Sequence, residues 1–169
     1  MVGNGGQQDH YIGASGFDWA VYKDSPTGVV IFAALQAENE ATALGANPST
    51  IDRFQSVEGF SGSQYNDFII GSNNLTASFA TSGFTGSLLT NFDLIHGLRG
   101  LVESFQPGAT FFAGEILLGG AGSDIIKGGW GDEIIDGDAW LNVQIGVYAN
   151  SDPTHSGTPL SVYDSMLAF

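Results

Sequence analysis

A chain of 169 residues that is 43% hydrophobic can bury a real core, which excludes disorder by composition. Lys plus Arg number 4 against 18 Asp plus Glu, a formal net charge of −14, which excludes nucleic acid and anionic membrane, both of which need basic surface, as partners. The lack of Cys excludes disulfides, thiolate metal sites and thiol catalysis.

No apolar run reaches membrane-spanning length, so membrane insertion is not expected. No charged-plus-apolar leader segment is visible, and Met1 opens directly on Gly-rich sequence, which reads as a start inside a longer protein. In chain order, the first island is a weak nine-residue repeat. Asp9 and Asp18 are nine apart, Gly5 and Gly6 precede the first, and Gly13 and Gly16 precede the second. Gly28 to Leu35 is apolar and β-branched at its start and predicts a strand. Glu38 to Pro48 is small and polar and predicts a loop. A second island, Gly59 to Gly71, carries Asn66-Asp67 followed by the apolar triplet Phe68-Ile69-Ile70. Gly71 to Gly86 is rich in Ser, Thr, Asn and Gly and predicts an irregular connection.

The spacing of Leu94, Ile95, Leu98, Leu101, Val102 and Phe105 predicts one amphipathic helix over about 91–106. Asn91 is its expected N-cap, Asp93 lies in its first turn, and Pro107-Gly108 stops it. Gly97 and Gly100 weaken it by roughly 1 kcal/mol each relative to Ala. The expected reason for them is close packing against the rest of the fold, with the helix covering an open sheet edge.

The strongest pattern lies further on. Gly119-Gly120-Ala121-Gly122-Ser123-Asp124-Ile125-Ile126-Lys127 is followed at once by Gly128-Gly129-Trp130-Gly131-Asp132-Glu133-Ile134-Ile135-Asp136. Both have the form GGxGx(D/E)xUx, with U a large apolar residue. Glu115 and Asn142 hold the acidic position one unit before and one unit after, and Gly137 to Asn142, including Asp138, reads as a degenerate end.

A nine-residue unit divides into a glycine bend and a short strand. Glycine reaches backbone angles closed to other residues, so several carbonyls of the bend can point at one spot. A carboxylate at the sixth position adds charge, and calcium takes six to eight such oxygen ligands. Two units make one coil of 18 residues, which places Glu115 beside Glu133 and Asp124 beside Asn142. Like charges at that distance repel, and a divalent cation between them reverses the sign. The candidate calcium ligands are Gly119, Ala121, Ser123, Asp124, Gly128, Trp130, Asp132, Glu133, Asp136, Asp138, Asn142 and Glu115, with Asn66, Asp67, Asp9 and Asp18 from the earlier islands.

The paired units at 119–136 resemble the RTX, or haemolysin-type, calcium-binding nonapeptide repeats. Further pieces, Phe17-Asp18-Trp19-Ala20, Asp52-Arg53-Phe54, Val57-Glu58-Gly59, Leu89-Thr90-Asn91-Phe92 and Asp136 to Val143, are similar to large secreted bacterial proteins that join a haem-peroxidase region to RTX repeats. The resemblance implies a secreted, extracellular module of a longer polypeptide, exported by a type I pathway. It does not imply that this segment holds haem. Glu133 departs from the usual Asp.

The expectation is therefore one all-β domain over 1–169, a parallel β-roll or solenoid with one inserted helix and repeat islands at about 4–22, 59–72 and 110–145. It folds on calcium, contacts flanking domains of the same polypeptide and is not itself an enzyme. Core or edge packing is the expected role of Trp19, Trp130 and Trp140. Two alternatives stay open: a calcium-dependent adhesion or carbohydrate-binding module with these tryptophans as a sugar platform, and self-processing at Asp152-Pro153. His10, His96 and His155 have no metal-ligand spacing and are expected in surface or packing roles.

Overall fold

The computed structural model describes residues 9–14, 16–33, 39–43, 52–72, 88–95, 97–149 and 157–163. Short strands dominate: β1 (His10–Ile12), β2 (Trp19–Val21), β3 (Val29–Phe32), β4 (Asn39–Ala43), β5 (Asp52–Gln55), β6 (Gly59–Ser61) and β7 (Phe68–Ile70). Helix α1 (Leu98–Phe105) follows, and then come β8 (Ile116–Leu118), β9 (Ile125–Lys127), β10 (Ile134–Asp136), β11 (Ile145–Val147) and β12 (Ser161–Tyr163).

Two sheets carry the molecule. Sheet I is all parallel in the order β10-β8-β6-β2. Sheet II has the order β1-β5-β4-β3-β7-β9, parallel except for β4, which runs antiparallel to both β3 and β5. The chain alternates between them: β2 to β3, β6 to β7, then β8 to β9 to β10. Ile116 pairs with both Gly59 and Ile134, and Phe68 with Ile125, so the repeat units stack in register.

Alternation of side chains explains the packing. The middle residues of the sheet I strands, Ala20, Phe60 and Leu117, join Tyr11, Val29, Ile31, Phe54, Ile69 and Ile126 of sheet II in one core between the sheets. Phe60 meets Phe54 edge to face, with centroids 5.2 Å apart. The flanking residues Trp19, Val21, Ile116, Leu118 and Ile134 point the other way, into a second core. Phe92, Leu98, Val102 and Phe112 cover them. The inner strands β6 and β8 and the strand β2 of sheet I are thus buried on both faces, and β2 and β8 read as continuous apolar triplets rather than as alternating ones.

Several expectations need correction. The helix predicted over 91–106 is broken: Phe92–Leu94 is a single 3₁₀ turn, Ile95 is extended, and α1 starts only after Gly97, whose φ is +87°. Asn91 makes no side-chain cap bond. Arg99 holds the two pieces together, donating from Nη2 to Asp93 Oδ2 at 2.6 Å and lying over the Phe92 ring. Gly97 serves the left-handed turn. A Cβ added at Gly97 or Gly100 would meet no atom within 4 Å, so close packing is not the reason for either. The helix covers a face of sheet I, not an open edge.

The loop expected over 38–48 contains β4 at Asn39–Ala43, whose pairing with strands on both sides overrides the weak strand preference of Asn, Glu and Ala. Gly5, Gly6, His96, His155, Asp152-Pro153 and residues 73–86 lie outside the described residues. No helix among the described residues is long and apolar enough to cross a membrane.

Candidate cation-binding bends

Each passage between the sheets is a bend, and the bends stack along two edges. At the first edge, bend 62–67 lies against bend 119–124. Ala121 N–H donates to Ser63 O at 3.1 Å, and Ser123 N–H to Asn66 Oδ1 at 2.9 Å. Asp67 N–H donates to Asp124 Oδ1 at 2.8 Å. Val29 N–H repeats this one layer earlier, donating to Asp67 Oδ1 at 2.7 Å. The amide at the sixth position of one layer is therefore bonded to the acid of the next.

The second edge follows the same rule. Asp18 N–H donates to Glu58 Oε2 at 3.0 Å, and Ile116 and Ile134 bond back to the carbonyls of Glu58 and Glu115. Asp18, Glu58, Glu115 and Glu133 thus form a column of four acids, one per layer of sheet I. Glu115 lies beside Glu133, as the 18-residue spacing predicts. A further pair, Asp9 and Asp52, repeats the motif where β1 meets β5, Asp9 N–H donating to Asp52 Oδ1 at 2.8 Å.

One bend of this column is split. An added Cβ at Gly71 would strike Gly128 O and Glu115 Oε2, one at Gly129 would strike Ser72 O, and one at Gly114 would strike Asp132 O. Trp130 N–H donates to Ser72 O at 3.2 Å, and Ser72 N–H to Glu115 Oε2 at 2.6 Å. Gly71-Ser72 and Ala113-Gly114-Glu115 are therefore the two halves of one ordinary bend, and residues 73–112 stand where bend 128–133 has Trp130 alone. This accounts for the separation of 57 between stacked residues at bends 62–67 and 119–124.

The glycines meet steric demands of two kinds. Gly120, Gly122, Gly129 and Gly131 have φ between +99° and +132°, where side chains are strained. Gly119 and Gly62 sit under carbonyls of the next layer, Gly137 O and Gly119 O, and against their own acids, Asp124 and Asp67.

Burial sorts the acids. Asp52, Glu58, Asp67 and Glu115 are buried, whereas Asp124 and Glu133 are half-buried and Asp132 and Asp138 exposed. Burial pushes the Glu115 carboxyl up to about 7, Ser72 opposes this by hydrogen bonding, and the charges of Glu133 and Glu58 add to it. Burial likewise raises Asp18, Asp52, Asp67 and Glu133. Asp67 is already well satisfied, accepting from Val29 N–H and from both the amide and the hydroxyl of Ser63. Asp18 Oδ2 is buried with no hydrogen-bond partner. Among the described residues, no three His, Cys, Asp or Glu side chains converge on one point. A cation at these bends would need backbone carbonyls.

The chain matches no family model, no curated protein and no solved structure.

The predicted site residues are thus partly gathered and partly scattered. Asn66, Asp67, Gly119, Ala121, Ser123 and Asp124 belong to two stacked bends, and Glu115, Gly128, Trp130, Asp132 and Glu133 to the other edge. Asp136 is taken up locally: its Oδ1 accepts from Asp138 and Ala139 N–H, both at 3.0 Å. The 18-residue spacing predicts Asn142 beside Asp124, but the last unit leaves the pattern. Gly120 N–H donates to Ala139 O, Leu141 N–H to Ser61 Oγ, and β11 pairs antiparallel with β12. The expected packing role fits Trp19, which is buried, while Trp130 and Trp140 are 67% and 54% exposed. His10 is exposed.

Glu58, Asp52 and Ser72 are absent from the candidate ligands read from sequence. Glu58 has a legible signal: it stands nine residues before Asp67 and just ahead of a strand triplet. Ser72 has none, because the insertion hides its partner Glu115.

Proposed function

We propose that this chain is a calcium-binding structural module of the parallel β-roll type, part of a larger secreted bacterial protein, which completes its folding on calcium outside the cell. The observation that carries the reading is the column Asp18, Glu58, Glu115 and Glu133. Four acids recur layer by layer beside glycine bends, two of them buried. Stacked carboxylates in a low-dielectric setting must bind protons or a cation.

The residues present fit such an ion. Hard oxygen donors of both kinds are at hand, and the orphaned Asp18 Oδ2 and the upward-shifted Glu115 each lack full compensation. Glu115 and Glu133, with carbonyls of bends 71–72, 113–114 and 128–132, would hold an ion at the second edge. Asp124, with carbonyls of 119–123, would hold one at the first. Asp67 contributes more as the hydrogen-bonded closure of its own bend. Calcium in such a place supplies charge compensation and cross-links layers. The proposed role is structural rather than catalytic.

Modules of this kind have affinities near 10⁻⁴ to 10⁻³ M, matched to extracellular rather than cytosolic calcium. Circular dichroism of the full chain, titrated with calcium and separately with magnesium, tests the reading. Calcium is expected to increase the β signal and magnesium to do little, because magnesium demands a stricter octahedron. An unchanged spectrum together with no heat of binding in calorimetry would refute it.

A further inference from the structure

The first edge also carries a cleft whose polar side chains the proposed ion site does not use. Bends 22–24, 63–64 and 121 and the departing segment 140–142 together enclose an open cleft of about 450 Å³. Trp140 is among the residues lining it and is 54% exposed. Lys23, Asp24, Gln64 and Asn142 stand around it. The Ser63 hydroxyl at the floor is turned away, bonded to Asp67 Oδ1 and to Tyr65 N–H.

We propose that this cleft is a binding site for a neutral oligosaccharide, with Trp140 stacked against the apolar face of a sugar ring. The reading is independent of cation binding at the bends. An exposed tryptophan is costly to leave in water and gains when a flat apolar surface covers it. Sugar rings offer such a face, bordered by hydroxyls that donate and accept together. The amides of Gln64 and Asn142 do both, and the Asp24 carboxylate accepts from paired hydroxyls. The volume lies in the range of small-ligand sites.

Charge selects against anionic ligands. Among the described residues lining the cleft, Lys23 supplies the only positive side chain, and its Nζ is held by Asp24 at 3.1 Å. With a net charge of −14 over the chain, a phosphate or uronate would meet repulsion. A neutral chain of hexoses or pentoses meets none.

Trp140 also lines a smaller cleft between the segment 139–141 and α1.

The test uses the full chain with and without calcium, against neutral hexasaccharides of cellulose, xylan, chitin and starch. Tryptophan fluorescence and calorimetry are the readouts. At least one saccharide is expected to bind and shift the emission to the blue. Trp140→Ala should weaken that binding roughly tenfold or more, as the loss of a stacking contact implies. Trp130→Ala, on the opposite edge and also exposed, should leave it unchanged. Gln64→Ala and Asn142→Ala should each weaken it without altering the circular dichroism.

No binding by the folded wild-type chain would overturn the proposal. So would equal binding by Trp140→Ala, or preference for an anionic hexasaccharide such as oligogalacturonate. The calcium response of Trp140→Ala should match that of the wild type, so failure of the cleft and failure of the cation reading give different results.

Discussion

Gly119 has no room for a side chain, because Gly137 O and the Asp124 carboxylate occupy the place of a Cβ. Gly119→Ala is expected to cost about 2 kcal/mol or more through overpacking against backbone that cannot retreat. Gly100→Ala is the opposite case. Its Cβ would meet nothing within 4 Å and would enter an exposed helix position, so a gain of up to about 1 kcal/mol is expected. Urea denaturation of the two variants checks both signs. Glu115 makes a third residue-scale prediction. Its folded carboxyl titrates near 7 against an ordinary 4.5, so the folded state favours the protonated form. Without calcium, stability is highest below the ordinary value and falls as pH rises through about 7. The loss amounts to roughly 3 kcal/mol for this group. Burial raises Asp18, Asp52, Asp67 and Glu133 too, so their contributions share this sign. Glu115→Gln keeps an acceptor for Ser72 N–H and removes the buried charge. In chelator it is expected to be more stable than the wild type at pH 8, and to lose part of the calcium-induced gain. Thermal melts at pH 5 and pH 8, with calcium and with chelator, provide the measurement.

Among the elements, α1 and the 3₁₀ turn before it divide what sequence periodicity joins. The apolar spacing identifies Leu98 and Val102 as buried, and they are. It also places Phe105 on the same face, yet that side chain is 57% exposed. The break at Gly97 shortens the helix to eight residues, of which Leu98 and Val102 are buried. Leu98→Ala is accordingly expected to cost about 2–4 kcal/mol, and Phe105→Ala less than about 0.5 kcal/mol, again by urea denaturation. The strands are more legible than the helix. Perfect tandem units at 119–136 declare the bend-and-triplet rhythm, and Asn66-Asp67-Phe68-Ile69-Ile70 declares it again. Strand β4 is hidden because its Asn-Glu-Ala-Thr-Ala sequence forms a strand only through neighbours on both sides. The continuity of the acid column is hidden for a related reason. Periodicity shows the spacing of Glu115 and Glu133, whereas the stacking of Glu58 on Glu115 spans the insertion and depends on where residues 73–112 leave the fold.

For the molecule as a whole, the two cores differ in how they depend on the layers. The inner core draws on both sheets, and the outer one is closed by residues from Leu89 to Phe112 lying across sheet I. If calcium ties the layers, its removal should loosen the inner core first. Hydrogen exchange with and without chelator is expected to show the amides of β6, β8 and β10 losing protection when calcium is withdrawn. Equal protection in both states would contradict the proposed link between ion and layers. The split bend has a separate consequence. Its two halves, Gly71-Ser72 and Gly114-Glu115, stack on one uninterrupted bend, 128–133, so the frame registers the forty intervening residues only as a substitute for one. A position of that kind is a natural socket. Unrelated segments with adjoining ends could be exchanged there over evolutionary time, or grafted there by design, while the stack beneath kept its rhythm.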